Sequence, residues 1–289
     1  MCMIGVVVDS GTDIPEDIAK RDNVEIVPLR ILTDKGEYRD NIDISTEELF
    51  EYMENKIPKT SLPTNEDINK AFTNLYEKGC KEIICLNISS GLSGTSNSMR
   101  LAGKEFKEEH DDLRIEFVDT KSISIGSGLI AKKVVEEIDA GKSFDVILSS
   151  ARICVNSKVK VFFTIPKLKY LKAGGRIGKV SGTIGDFLNI KPVITVGSDG
   201  IYHTVEKKRG MKRTVSVMFD KMMEFLSDKK EQYVAVYSSD KGESTTEHVK
   251  KLLEKFKEKG FKNVLTGTIS QSLVVHTGKG LIGIAALVR

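Results

Sequence analysis

Three short stretches of this 289-residue chain gather side chains able to hold or attack a polar group. Residues 88–100 read ISSGLSGTSNSMR, five serines, a threonine and two glycines directly after an apolar run. Lys59-Thr60-Ser61-Leu62-Pro63-Thr64 is a second hydroxyl cluster just ahead of a helical pattern. His276-Thr277-Gly278-Lys279-Gly280 places an imidazole in a glycine-rich loop before the last apolar run. A strand that runs through a Gly/Ser loop into a helix is where open α/β sheets bind ligands. The free N–H groups and the dipole of a helix's first turn favour an anion. Ser90, Ser93, Thr95 and Ser96 would add uncharged donors, so a small carboxylate or phosphate would suit the loop. A capped helix start with spare serines accounts for the same residues equally well.

Two sharper chemistries fail on spacing. A phosphate-binding P-loop needs GxxxxGK[ST], and GLSGTSNS has no lysine. Gly174-Gly175-Arg176-Ile177-Gly178-Lys179 has too few residues before its second glycine and a valine after the lysine. A nucleophile elbow needs GxSxG, but Gly91-Leu92-Ser93-Gly94-Thr95 carries threonine in the last position. Both departures weigh against nucleotide hydrolysis and acyl-enzyme chemistry. A serine hydrolase with Ser93 as nucleophile and His276 as base stays open as the alternative, with no orienting carboxylate identified. A regulatory or scaffold role, with any bound ligand incidental, is a third reading.

The elements that must position these loops follow from periodicity. In the first half, β-branched runs at 4–9 and 24–32 flank Asp13-Ile14-Pro15-Glu16, whose spacing predicts a capped helix start. Ser45-Thr46-Glu47-Glu48 repeats that signal, and Thr64 opens a helix in which Ile68, Phe72 and Leu75 recur at helical spacing. The strand EIICLNI, the Ser/Gly loop, a helix to about 107, the strand RIEFVD and a helix near 126–140 follow. Strands alternating with helices imply a parallel sheet covered on both faces. In the second half, KPVITV and IYHTVEK flank GSDG, an antiparallel hairpin signal. Helices near 210–227 and at 246–260, the strands YVAVYSS and KNVLTGT, and a buried final strand GLIGIAALV complete it. This change of character predicts two lobes, 1–155 with a parallel sheet and 156–289 with a mixed sheet.

Composition narrows the function classes. A net charge of +3, with lysines and carboxylates mixed along the chain, lacks the basic concentration of nucleic-acid binders. No apolar stretch approaches the roughly 20 residues of a membrane span. The opening MCMIGVVVDSG has no basic n-region and Asp9 interrupts its apolar run, so it is expected to be a first strand and not a signal peptide. Cys2, Cys80, Cys85 and Cys154 include no CxxC pair and are expected to be buried thiols in a reducing cytoplasm. His110, His203, His248 and His276 show no metal spacing, so no metal site is expected.

The ordered set VVVDSGTDIP, KTSLPT, SSGLSGT, FVDTKSISIGSG, LKYLKAGGRIG, LNIKPVITVGSDG, the basic segment around Arg209, and VVHTGKG resembles the DegV family of bacterial fatty-acid-binding proteins along the whole chain. The resemblance implies a two-lobed α/β fold, with a Rossmann-like N-terminal lobe, a mixed C-terminal lobe and a fatty acid buried between them. It implies no catalytic residue, metal or cofactor, only a long-chain fatty acid such as palmitate, stearate or oleate as ligand. Its carboxylate would meet Thr60 or Ser61 and Ser93, with His276 near the head group and Arg176 close to the opening of the site. The resemblance further implies a cytoplasmic carrier subunit of a fatty acid kinase. An ATP-dependent partner would phosphorylate the bound acid to an acyl phosphate for phospholipid synthesis, with Arg209 and Arg213 meeting that kinase. Transient contact with a membrane surface, and none with nucleic acid, belongs to the same picture. Leu62 departs from the family pattern, in which many relatives carry glutamine.

Overall fold

The computed structural model describes residues 3–183, 189–227 and 230–289. In the first half the strands are β1 (Met3–Asp9), β2 (Val24–Val27), β3 (Arg30–Thr33), β4 (Gly36–Arg39), β5 (Lys59–Ser61), β6 (Cys80–Asn87) and β7 (Arg114–Asp119). The helices there are α1 (Glu16–Ala19), α2 (Thr46–Asn55), α3 (Asn65–Glu77), α4 (Thr95–Glu108), α5 (Ile125–Asp139) and α6 (Phe144–Ile153). β1, β2, β6 and β7 form a parallel sheet in the order β2-β1-β6-β7. Val7, Ile83 and Cys85 on one face pack against Ile68, Phe72 and Leu75 of α3 and Met99 of α4. That is the helical stripe legible in the sequence.

The run 24–32 is not one strand. Pro28 has no N–H for a ladder, and the chain divides there into β2 and β3, which belong to different sheets. β3 pairs antiparallel with β4 and β5, and places Ile31 opposite Thr60. The first helix also starts later than its sequence signal predicts. Its N-cap is Pro15, not Asp13. Asp13 instead takes the left-handed conformation, φ 45°, and turns its carboxylate inward. The Ser45–Glu48 capping box forms as expected.

The second half contains β8 (Val159–Thr164), β9 (Ile190–Val196), β10 (Tyr202–Arg209), β11 (Glu231–Ser238), β12 (Val264–Thr268) and β13 (Ile282–Val288), with α7 (Lys169–Ala173), α8 (Met211–Leu226), α9 (Glu243–Glu258) and α10 (Gln271–Thr277). The strands order β10-β9-β8-β13-β11-β12, antiparallel except for the β11–β12 pair. Phe219 of α8 and Phe256 of α9 pack on one face of this sheet. The other face meets α5, which also touches the parallel sheet. Residues 125–131 of α5 are all buried, as a helix enclosed between two sheets requires. One apolar core therefore runs from Val6 and Val8 through Leu129 to Ala285 and Leu287.

Cys80, Cys85 and Cys154 are buried and form no disulfide, and Cys2 lies outside the described residues. So does Leu188, which opens the LNIKPVITV stretch. Among the described residues no helix is long and apolar enough to cross a membrane.

Candidate functional site

The Ser/Gly loop leaves β6 under tight control. Asp9, at the end of β1, accepts the Ile88 N–H at 2.9 Å and the Asn87 amide at 3.2 Å. Ser89 Oγ donates to the Gly200 carbonyl at 2.7 Å, tying the loop to the β9–β10 turn. Ser90 Oγ donates to Asp119 at 2.5 Å. Ser93 Oγ pairs with Thr95 Oγ1 at 2.7 Å and accepts the Thr95 N–H at 3.3 Å. The expectation that Ser90, Thr95 and Ser96 all serve a ligand is therefore corrected. Ser90 is spent on Asp119, Thr95 and Ser96 are buried in the α4 turn, and of the four Ser93 alone lines the cavity described next.

That cavity, about 230 Å³, collects most of the sequence-predicted site residues. Thr60 and Ser61 reach it from β5, Ser93 from the loop before α4, Arg176 from the turn after α7, and His276 from α10. Leu62 lines it as well and is partly exposed, so the position that departs from the family pattern stands at the cavity. Thr64 does not; its hydroxyl caps α3, accepting the Asp67 N–H at 3.2 Å. Arg209 ends β10 and Arg213 lies in the first turn of α8, both exposed and outside the cavity.

His276 is not in a loop. It occupies the last turn of α10, and its Nε2 is 2.8 Å from Thr60 Oγ1. Its Nδ1 is buried and has no hydrogen-bond partner among the described residues. The ring rests on Gly174, where a Cβ would stand 2.2 Å from Nδ1. Burial, with the Arg176 charge adding to it, pulls the imidazole pKa down to about 4, so it is neutral at pH 7. Arg176 donates from Nε to the Leu92 carbonyl at 3.2 Å and from Nη1 to the Gly174 carbonyl at 2.6 Å. It thus latches the glycine turn to the Ser93 loop at the polar end of the cavity. Ser93 and His276 share the cavity without a hydrogen bond between them, and among the described residues no carboxylate orients His276. The geometry is that of a binding pole and lacks a nucleophile–base pair.

The remaining walls are mainly apolar: Leu29, Ile88, Leu92, Ile123 and Ile125 from the first half of the chain, and Val161, Phe163, Ile269, Leu273 and Leu281 from the second. Tyr202 stacks edge-on against Phe163. Sequence reasoning missed Ser124 and Ser272, which also line the cavity, and the aspartates behind them. Burial raises the pKa of Asp9 to about 6, that of Asp13 to about 8, and that of Asp40 as well. The available signal was Asp9-x-x-x-Asp13, two carboxylates at and just beyond the end of a buried strand. Among the described residues no His/Cys/Asp/Glu cluster is arranged to hold a metal.

A family model described as "Uncharacterised protein, DegV family" matches residues 3–289. The chain belongs to the DegV family. A DegV domain-containing protein of Clostridium acetobutylicum is 34% identical over 281 residues, 97% of each chain. Among solved structures, a DegV family protein from Thermus thermophilus described as fatty-acid-binding superposes with a TM-score of 0.88 at 28% identity, covering 99% of both chains. The Fatty Acid Kinase (Fak) B3 protein of Streptococcus pneumoniae, loaded with linoleic acid, shares the fold at a TM-score of 0.87 and 23% identity, with 99% of both chains covered. This DegV chain therefore has the α/β fold of fatty-acid-binding DegV proteins, parallel in its first sheet and mixed in its second.

Proposed function

We propose that this protein binds one long-chain fatty acid, such as palmitate, stearate or oleate, between lobes formed by residues 1–155 and 156–289. The observation that carries the reading is a single cavity with hydroxyls, an imidazole and a guanidinium at one pole and aliphatic walls beyond it. An ionised carboxylate is costly to bury unless hydrogen bonds satisfy it. Thr60, Ser61, Ser93 and His276 supply neutral partners, and Arg176 supplies a charge beside them. The tail supplies affinity, at about 0.8 kcal/mol for each methylene removed from water. The Thermus thermophilus relative, with its fatty-acid-binding description, supports the ligand class.

In this reading the protein is a carrier with no catalytic residue of its own. It works in the cytoplasm and presents the carboxylate to an ATP-dependent kinase, which forms an acyl phosphate for phospholipid synthesis. Arg209 and Arg213 are exposed and free of the cavity, as kinase contacts must be, and guanidinium groups suit phosphates. The S. pneumoniae Fatty Acid Kinase (Fak) B3 protein, which shares this fold and is loaded with linoleic acid, suggests this step by its name. The test is calorimetric titration of delipidated protein with oleate. Saturable binding that weakens about tenfold in Thr60→Val and Ser93→Ala is expected. Binding that ignores both substitutions would move the carboxylate elsewhere.

A further inference from the structure

We infer that Asp13 and Asp40 are positioning residues that fix where the His276 imidazole stands. The inference deepens the fatty-acid reading and rests on it for the function of that imidazole, although the placement itself concerns this chain alone.

α10 has seven residues, too few to be stable by itself, and its N-cap Ser270 makes no side-chain cap. The N–H groups at a helix start need partners from outside the helix. Here they come from the far half of the chain, in the same form twice. Asp13 Oδ1 accepts the Ser270 N–H at 2.8 Å, while its Oδ2 accepts the Ser124 hydroxyl. Asp40 Oδ1 accepts the Ser272 N–H at 2.9 Å, while its Oδ2 accepts the Ser10 hydroxyl at 2.6 Å. Each carboxyl thus bridges the first turn of α10 to a serine of the N-terminal half. Ser10 is itself fixed, since its Oγ accepts the Leu29 N–H at 3.0 Å. Between these bridges Gln271 accepts the Asn41 N–H at 2.9 Å.

Two further facts separate this clamp from ordinary packing. Asp13 and Ser124, hydrogen-bonded to each other, both have positive φ, 45° and 53°. Neither is glycine, and such conformations persist only where the surroundings over-determine them. The helix also connects the clamp to the head-group pole with little slack. His276 lies six residues beyond Ser270, roughly 9 Å along the axis at 1.5 Å per residue. A tilt of about 10° at the first turn would carry the imidazole roughly 1.5 Å, enough to break its 2.8 Å contact with Thr60.

The test is a double-mutant cycle with oleate as the probe. Asp13→Ala and Asp40→Ala should each weaken oleate binding about tenfold in the wild type and change it less than twofold in a His276→Ala background. Asp13→Asn and Asp40→Asn should retain binding, since the amide keeps one acceptor for the helix N–H and offers a donor to a reoriented serine hydroxyl. Ser10→Ala, a milder change away from the cavity, gives the same cycle at a few-fold amplitude if the alanine variants do not fold. Equal losses in both backgrounds would overturn the inference, because Asp13 and Asp40 would then act on packing at large. The histidine ring resonances of the unliganded protein give a second readout. His276 should shift in the alanine variants and hold in the asparagine ones, and an unmoved resonance would overturn the inference. If the wild type binds no oleate, the fatty-acid reading fails while the resonance shift still decides the placement.

Discussion

Replacing Gly174 by alanine probes the head-group pole without touching a group proposed to bind. Gly174 has φ −77° and ψ −5°, a backbone that alanine adopts readily. Taken alone, the change would stabilise the chain by about 0.4–1 kcal/mol through the unfolded state. The new Cβ would stand 2.2 Å from His276 Nδ1 and 2.7 Å from Cε1, where ordinary contact begins at 3.4 Å. The imidazole must then retreat by about 3.4 − 2.2 = 1.2 Å, and the open cavity is the direction that yields. A shift of that size stretches the 2.8 Å Thr60 contact beyond hydrogen-bonding range. Losing a partly buried hydrogen bond and orphaning its groups costs about 1–3 kcal/mol. Calorimetry should therefore show oleate binding weakened roughly tenfold to a hundredfold, with a thermal midpoint within a few degrees of wild type. In a His276→Ala background the same substitution should have no effect on affinity. Unchanged affinity and unchanged histidine resonances in Gly174→Ala would refute the reasoning, because the ring would then not occupy the position from which the pole is built.

Three more expectations follow from other parts of the molecule. Asp13 has a folded pKa raised to about 8 from 3.8, so the folded state holds a proton that the unfolded chain has released. Its stabilising contribution is complete below about pH 4 and is lost as pH rises toward 8. Asp9, raised to about 6, acts in the same sense up to that pH, and His276, lowered from 6.5 to about 4, opposes them between those values. Urea unfolding should accordingly show stability falling by about 2 kcal/mol from pH 6.5 to 8, and Asp13→Asn should flatten that limb; an unchanged slope would reassign it. Gly91→Ala would place a Cβ 2.7 Å from the Gly200 carbonyl oxygen, a backbone clash, and should destabilise the protein by about 1–3 kcal/mol, read by chemical denaturation. Arg209→Ala and Arg213→Ala should leave oleate binding intact and slow acyl phosphate formation with the proposed kinase; equal loss of both activities would place these arginines in folding or lipid binding.

Much of the architecture was legible because its signals are local. Ile68, Phe72 and Leu75 mark a helix face by spacing, and the GSDG turn marks a hairpin. The Ser45–Glu48 capping box announces its helix in four residues. What escaped depends on contacts between distant segments. Nothing in VEIVPLRIL shows that its two halves join different sheets, although Pro28 marks where the ladder must break. Thr60, Ser93, Arg176 and His276 were recognisable as types, but their convergence spans 216 positions between Thr60 and His276. Asp13 was misassigned as a cap because Asp-x-x-Glu is a strong local pattern. Its real partners, Ser124 and Ser270, lie 111 and 257 residues away. Gly174 carries no chemistry of its own and becomes informative only when the ring resting on it is seen.

Native mass spectrometry of the protein purified without added lipid, repeated after delipidation and exposure to oleate, tests the central claim most directly. The account predicts a one-to-one adduct with the mass of a long-chain fatty acid in the first preparation, and its restoration by oleate in the second. A protein that is reproducibly empty as purified and takes up no oleate when offered would contradict it.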